Sequence, residues 1–272
     1  LVDLRDLYTA MYSARTIDLI EQSYTGRGEA FFHVSGWGHE AAATANPFLQ
    51  EQDWLHVHYR DKALALARGM KPEQFFLALF NKDAAHSRGR QMNAHLSAPA
   101  ANILSIVGPV GNSPLQAAGV AEAVRDQPGS PIVLCGLGDG MTQQGEVYEG
   151  MAQAVRARLP VLFVIQDNAY AISTTTRGRT FYSLPDGPAE SFTGIPITYV
   201  DGRDPLGSYR AHREVIARIR DTRRPEIIVF QVDRLDNHTN ADDQRMYRDE
   251  ADIAAARETG DPVIRLRRVL LE

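Results

Sequence analysis

Short apolar runs recur along the chain at the length expected of strands. The two clearest occupy 131–137 and 161–165 and are apolar at nearly every position rather than at alternate ones. Such unbroken runs are typical of parallel strands that are buried on both faces. Two later runs, 197–200 and 227–232, predict further strands of the same sheet.

In other parts of the chain, apolar residues recur every three to four positions, which predicts helices. Pro47 interrupts the second of them, and Pro72 begins the fourth. Two polar segments lack any apolar period: 82–101 is predicted to be a loop, and 236–248 to be mobile without a ligand. The predicted helices occupy 4–24, 40–49, 59–67, 72–80, 112–124, 145–158, 206–220, 249–257 and 262–271.

Strands that alternate with helices predict an α/β fold, in which helices cover both faces of a parallel sheet. The chain has 272 residues, which is enough for one large domain with a substantial core. We find neither an internal repeat nor a convincing linker, so 1–272 is predicted to be a single domain.

Asp139 and Asn168 each follow one of the buried strands. Asp139 stands between Gly138 and Gly140, where the backbone can turn sharply. The carboxyl ends of parallel strands meet at one edge of the sheet, where α/β folds bind cofactors. Carboxylate and amide oxygens are hard ligands of the kind that hold Mg²⁺ beside a phosphate. The pair therefore predicts a magnesium-diphosphate site, although an ordinary βαβ unit with a turn Asp and a turn Asn remains the alternative.

Composition narrows the classes of partner. The net charge is −5 and the pI about 5.9, so neither nucleic acid nor an anionic membrane is an expected partner. The apolar runs are too short to span a bilayer. The single cysteine, Cys135, lies in a predicted buried strand, where a core role is expected rather than a nucleophilic one.

The motif around Asp139 has a specific likeness. The segment GDGMTQQGEVYEGMAQAVRARLPVLFVIQDNAYAIST resembles the alpha subunit of the thiamine-diphosphate (ThDP)-dependent, decarboxylating first component of 2-oxo-acid dehydrogenase complexes. This family includes pyruvate, branched-chain 2-oxo-acid and acetoin dehydrogenases. The likeness runs in order from Phe31 to the C-terminus and includes the segments 31–41, 58–69, 89–95 and 233–248. It implies the ThDP-binding version of the α/β fold.

The resemblance assigns the cofactor contacts, which are to ThDP and Mg²⁺. It implies that Asp139, Asn168 and the main-chain carbonyl of Tyr170 hold the metal ion. Tyr59 and Arg60 match the pair that contacts the diphosphate, and a guanidinium suits phosphate geometry. Further cofactor contacts are implied at Gly108, Val110, Gly138, Gly140, Met141 and Ala171. The positions matching a potassium loop of some relatives are Val107, Asn112 and Ser113, which do not support that ion.

The same resemblance implies the catalytic residues. His238 matches a loop histidine that faces the cofactor and assists transfer to lipoamide, and imidazole is suited to moving protons near neutral pH. Arg234 matches a family arginine. Thr239 stands where some relatives carry a phosphorylated serine, so kinase control is not supported. Phe32 is expected to line the substrate pocket and His95 to face the active site.

Several expectations concern what lies outside the chain. The resemblance implies a beta-type subunit or domain that supplies a catalytic Glu, an α₂β₂ assembly, and a lipoyl-bearing acyltransferase. The chain alone is therefore expected to be inactive. Since it begins at Leu1, it is interpreted as a fragment, a trimmed chain or half of a fusion. A prokaryotic cytoplasm is the favoured location, with the mitochondrial matrix as the alternative.

Three functional readings remain open at this stage. Within the family, the segments 89–95 and 169–173 favour a branched-chain substrate, with pyruvate next and acetoin as a further alternative. A transketolase-like ThDP enzyme is a second reading, which the segment around His238 disfavours. A non-catalytic scaffold is the third, and the joint presence of Asp139, Asn168, Arg60 and His238 argues against it.

Overall fold

A computed structural model describes residues 4–272. The helices are α1 (Leu4–Gly26), α2 (Lys62–Ala67), α3 (Pro72–Leu79), α4 (Ser113–Val124), α5 (Gly145–Arg156), α6 (Pro205–Thr222), α7 (Glu250–Thr259) and α8 (Pro262–Leu271). The strands are β1 (Trp54–His56), β2 (Val133–Gly138), β3 (Val161–Asp167), β4 (Tyr170–Ala171), β5 (Thr174–Thr175), β6 (Ser183–Leu184), β7 (Gly187–Pro188), β8 (Ser191–Phe192), β9 (Ile195–Asp201) and β10 (Glu226–Gln231). Short 3₁₀ helices occupy Glu40–Phe48, Pro99–Ala101, Asp139–Gln143 and Gln244–Met246.

A six-stranded sheet organises the fold, in the order β1-β2-β3-β10-β9-β8. All neighbouring strands are parallel except β8, which pairs antiparallel with β9. The four predicted strands are confirmed as β2, β3, β9 and β10. Strand β1 was not predicted, because three residues containing a histidine give no readable apolar run.

The sheet is buried on both faces. Leu134, Leu162 and Ile228 face a core that is shared with α1, α2, α6 and α8. Their sequence neighbours Val133, Phe163 and others face a second core, which α4 and α5 cover. This confirms the predicted α/β fold with a mostly parallel central sheet flanked by helices.

Cys135 lies fully buried in the second core, as predicted for a structural residue. Burial raises the pKa of its thiol to about 12, so the thiolate form that reacts is suppressed. Within the described residues 4–272, no helix is long and apolar enough to cross a membrane.

Two predicted helices differ from the structure in ways that have local causes. The segment predicted as a helix over 40–49 is a 3₁₀ helix over Glu40–Phe48, with Pro47 inside it. The helix predicted over 59–67 begins only at Lys62. There the Asp61 carboxylate accepts the His58 N–H at 2.7 Å and holds 58–61 in a turn.

A buried charge cluster fastens α1 to the start of α2. The Lys62 ammonium donates to the carboxylates of Asp18 and Glu21, and all three side chains are at most 2% exposed. Asp18 also accepts the Gly36 N–H at 2.7 Å, and Glu21 lies 3.0 Å from His33 Nδ1. Glu21 and Lys62 hold each other ionised: the Lys62 charge lowers the pKa of Glu21 against the opposing effect of burial.

His212 on α6 gives a test of this packing by pH. Its ring is buried, with Nδ1 2.9 Å from Thr44 Oγ1, and burial lowers its pKa to about 4. Thr44 Oγ1 already donates to the Ala41 carbonyl, so it accepts from His212 Nδ1, while burial favours the neutral ring. Below the ordinary pKa of His, the unfolded chain therefore binds a proton that the folded chain refuses.

We expect His212 to make the folded state less stable as the pH falls from about 7.5 to about 5. By linkage, the loss that His212 causes is about 2 kcal/mol at the lower pH. His212→Asn keeps a donor for Thr44 but does not titrate. Urea unfolding of both proteins at the two pH values should show the stability advantage of the wild type shrinking by about this amount. An advantage that does not change with pH would contradict a neutral, buried His212.

Candidate functional site

A cavity of about 200 Å³ opens at the carboxyl ends of β2 and β3. Its walls come from five parts of the chain that the fold brings together. Most of the predicted cofactor-binding residues meet here. The cavity is lined by His58, Tyr59, Arg60, Val110, Gly138, Asp139, Gly140, Met141, Asn168, Tyr170, Ala171, Ile172 and His238.

Asp139 is the only acidic residue among the described residues that line the cavity. It is 2% exposed, and Thr176 Oγ1 donates to its Oδ2 at 2.5 Å. Burial raises the pKa of its carboxyl to about 7, which the Thr176 hydrogen bond opposes. A cation in contact would favour the ionised carboxylate, so this position is suited to a metal ion.

Asn168 and Tyr170 lie in a tight turn at the end of β3. Asn168 Oδ1 accepts the Tyr170 N–H at 3.1 Å, and the Asp167 carboxylate accepts the Ala169 N–H at 2.9 Å. Ala169 has φ +64°, in the left-handed region that non-glycine residues rarely adopt. The turn packs closely against the loop after β2. A Cβ at Gly140 would lie only 2.7 Å from Ala171 Cβ, so this approach requires glycine.

The opposite wall is cationic. Arg60 is 2% exposed and donates to the Ser35 carbonyl and to His238, reaching His238 Nδ1 at 2.9 Å and its carbonyl at 3.2 Å. None of these partners is a carboxylate. Buried charge without an opposite charge is costly, so this guanidinium is placed to meet an anion.

His238 is neutral in this arrangement. Burial, assisted by the charges of Arg60 and Arg234, lowers its pKa to about 4. An arginine can only donate, so His238 Nδ1 accepts from Arg60 and the ring proton resides on Nε2. Asp242 accepts the His238 N–H at 2.7 Å and so fixes the surrounding turn. The mobility predicted for 236–248 without a ligand stays a prediction.

Arg234 stands behind the cavity rather than in its lining. It is 2% exposed, donating to the Ile172 carbonyl at 2.9 Å and to the Tyr247 hydroxyl at 2.6 Å. Burial lowers its pKa, and the neighbouring Arg60 charge adds to that effect. Its buried Nε has no partner. The site thus carries a positive field that a diphosphate would neutralise.

Comparison with known proteins shows the family of this chain. The family model for the dehydrogenase E1 component matches residues 8–272. The chain belongs to the dehydrogenase E1 component family. It is 31% identical over 270 residues to the 2-oxoisovalerate dehydrogenase subunit alpha of Bacillus subtilis, covering 98% of this chain and 81% of that one.

Two further relatives of this E1 chain differ in the substrate that they are named for. The pyruvate dehydrogenase E1 component subunit alpha of Staphylococcus aureus is 32% identical, over 98% of this chain and 70% of its own. The mitochondrial 2-oxoisovalerate dehydrogenase subunit alpha of Caenorhabditis elegans is 27% identical, over 98% of this chain and 62% of its own. This chain therefore spans less than two thirds of the nematode protein.

Four residues in or behind the cavity of this E1 chain were not found by sequence reasoning, and one of them, Ile172, lines it. Thr176 donates a hydrogen bond to Asp139, and His58 lines the cavity. His39 lies behind Asn168, with its Nε2 3.4 Å from Asn168 Nδ2. Both ring nitrogens of His58 are buried without a partner, and burial lowers its pKa well below the ordinary value. A neutral donor left unpaired at a cavity wall fits a ligand that carries acceptor oxygens. His39 and His58 lie within the quoted segments 31–41 and 58–69, and that position is the one signal that could have pointed to them.

Three predicted contacts lie outside the lining. Phe32 borders a separate groove of about 310 Å³ with Phe31 and Met92. His95 lies beside Gly108, where a Cβ would be 3.9 Å from His95 Nε2. The roles given to Phe32, His95 and Gly108 stay predictions.

Proposed function

We propose that this chain is the alpha subunit of a 2-oxo-acid dehydrogenase. It binds ThDP through Mg²⁺ and, with a beta-type partner, catalyses oxidative decarboxylation of a 2-oxo acid with acyl transfer to a lipoyl group. The observation that carries the proposal is the convergence of Asp139, Asn168, Tyr170, Arg60 and His238 on one cavity. Membership of the E1 family supports it.

The donor set fits the metal and the diphosphate. Asp139, Asn168 and the Tyr170 carbonyl offer three hard oxygens, which is the chemistry that Mg²⁺ accepts beside phosphate oxygens. Arg60 would neutralise the diphosphate, and the main-chain N–H groups of Gly140 and Met141 would add donors at the glycine turn. When bound, ThDP supplies the electron sink for decarboxylation.

His238 would act as a proton carrier at the mouth of this site. Its ring holds a proton on Nε2 and is kept neutral by burial and by the Arg60 charge. The negative charge of a bound diphosphate would favour the protonated ring and so oppose Arg60. His238 is thus placed to give up or receive a proton at Nε2 within the cavity.

A partner chain is needed to complete the chemistry. ThDP needs a carboxylate at its pyrimidine ring, and the one acid among the described lining residues, Asp139, is committed to the metal. This supports a beta-type subunit or domain that supplies the Glu, in an α₂β₂ assembly. The lipoyl group would come from a separate acyltransferase component.

The proposed substrate is a branched-chain 2-oxo acid, with pyruvate next. The motif segments favour it, whereas the identities of 31% and 32% to the two bacterial relatives do not separate the substrates. The side chains of the two acids differ by two carbon atoms, and a hydrophobic pocket discriminates a single methylene by only about 10–200-fold. The ratio of kcat/KM for 2-oxoisovalerate and pyruvate decides between them.

The proposal is tested by calorimetric titration of ThDP and Mg²⁺ into the chain, alone and co-purified with a beta-type partner. We expect tight binding and 2-oxo-acid-dependent acyl transfer with the partner, and no turnover by the chain alone. Turnover by the isolated chain at a family-like rate would contradict the shared site. Absence of binding to the folded complex would favour a scaffold role instead.

A further inference from the structure

The side-chain amide of Asn168 is held at both of its ends. Its Oδ1 accepts the Tyr170 N–H at 3.1 Å, and its Nδ2 lies 3.4 Å from His39 Nε2. The oxygen and nitrogen of an amide have nearly the same shape, so hydrogen-bond partners decide which atom points where. Only the oxygen can bind a cation, and the direction of this amide therefore matters for a metal site.

The protons of the network behind Asn168 can be assigned from its far end. The Asp61 carboxylate accepts from the His58 N–H through Oδ2 and from Gln166 Nε2 through Oδ1. Gln166 therefore presents its Oε1 to His39 Nδ1, at 2.6 Å. Because that oxygen can only accept, His39 carries its proton on Nδ1. His39 Nε2 is left with a lone pair, which accepts from Asn168 Nδ2.

His39 itself does not line the cavity. It is 1% exposed, in the turn before the 3₁₀ helix Glu40–Phe48, and its ring stacks 6.5 Å from that of His58. Burial, assisted by the Arg60 charge, lowers the pKa of His39 to about 3. With its proton directed at Gln166 from Nδ1, His39 acts on the site only through Asn168.

We propose that His39 is a positioning residue for the metal site, since it engages Asn168 Nδ2 and so leaves Asn168 Oδ1 as the atom available to the cation. The inference rests on the proposed function of the cavity. Oδ1 has two lone pairs, and the Tyr170 N–H uses one, so the other remains free for a metal ion. The hydrogen-bond network begins at Asp61 and runs through Gln166 and His39. It sets the orientation of the Asn168 amide.

The first test is the Mg²⁺ affinity of the complex with its beta-type partner, measured by calorimetry at saturating ThDP. His39→Ala should weaken Mg²⁺ binding by about 10–100-fold, as is typical when the partner of a metal ligand is removed. His39→Gln should recover most of the affinity, because its amide can donate to Gln166 and accept from Asn168. Equal affinity of His39→Ala and wild type would overturn the inference.

A second background separates orientation from general damage. Asn168→Asp places two equivalent oxygens at position 168. An oxygen then faces the cation whether or not His39 is present. In that background, His39→Ala should change the Mg²⁺ affinity by less than about threefold. A loss of the same size in both backgrounds would mean that His39 is merely structural. Failure of the wild-type complex to bind Mg²⁺ would instead remove the proposed function, and this inference with it.

The tautomer of His39 can also be measured directly in the wild-type chain. Nitrogen NMR of the histidine-labelled protein, with His39→Gln for assignment, reports which ring nitrogen carries the proton. We expect the Nδ1–H form for His39 before any metal is added. The Nε2–H form would reverse the hydrogen bond to Asn168 and overturn the proposal.

Discussion

Asp139→Asn should weaken Mg²⁺ binding in the presence of ThDP by at least about 100-fold, more than the loss typical for a residue that only supports a ligand. The variant keeps the shape of the side chain and an acceptor for Thr176, but it removes the one acidic group among the described cavity-lining residues. Decarboxylation should fall with the metal affinity. Calorimetry of the partnered complex measures the first effect and substrate turnover the second.

Asp167→Asn is the matched control for this prediction. Asp167 is two residues before Ala169, whose N–H its carboxylate accepts, and it does not line the cavity. Asp167→Asn removes one negative charge near the cavity but no lining ligand. Its effect on Mg²⁺ affinity should therefore stay below about tenfold. Similar losses in the two variants would show that Asp139 acts through its field and not as a ligand.

Lys62→Met should destabilise the fold by about 3–5 kcal/mol, because it leaves two buried carboxylates without their cation. The Asp18 and Glu21 carboxylates are 2% and 1% exposed and cannot recover solvation without opening the packing of α1. Urea unfolding, followed by circular dichroism, measures the change. The midpoint should fall while the slope of the transition is preserved.

Two comparisons decide whether the lost charge pairing is the cause. Lys82→Met removes an exposed lysine and should stay within about 0.5 kcal/mol of wild type. Adding Asp18→Asn and Glu21→Gln to Lys62→Met removes the stranded charges and should restore part of the stability. A triple variant that is no more stable than Lys62→Met would point to lost packing of the lysine stem instead.

The sequence alone was sufficient to place the candidate site residues that follow directly after buried strands. The runs that became β2 and β3 are long and unbroken, and parallel pairing brings their carboxyl ends together whatever the details of the packing. Asp139 and Asn168 could therefore be placed at one site before the fold was known. Arg60 and His238 lie far apart along the chain, and only their resemblance to family motifs placed them there.

Residues that reach the site through tertiary contacts could not be predicted in this way. Thr176 and His39 carry no periodic or spacing signal, and their roles come from partners distant in the sequence: Asp139 for Thr176, and Gln166 and Asn168 for His39. Gly38, within the quoted segment 31–41, shows the same limit. It has φ +93°, and a Cβ there would lie 1.8 Å from the Asp233 carbonyl oxygen, so glycine is required by a neighbour that the sequence does not reveal.

The main-chain oxygen and the ring of Tyr170 have separate roles. Its proposed metal contact is a main-chain oxygen, which every amino acid possesses. Tyr170 also lines a larger cleft of about 580 Å³, and the Arg234 and Arg248 guanidinium carbons lie 5.7 and 5.1 Å from its ring centre. A substitution at position 170 would therefore change the lining of both spaces while keeping a main-chain oxygen for the proposed metal ion.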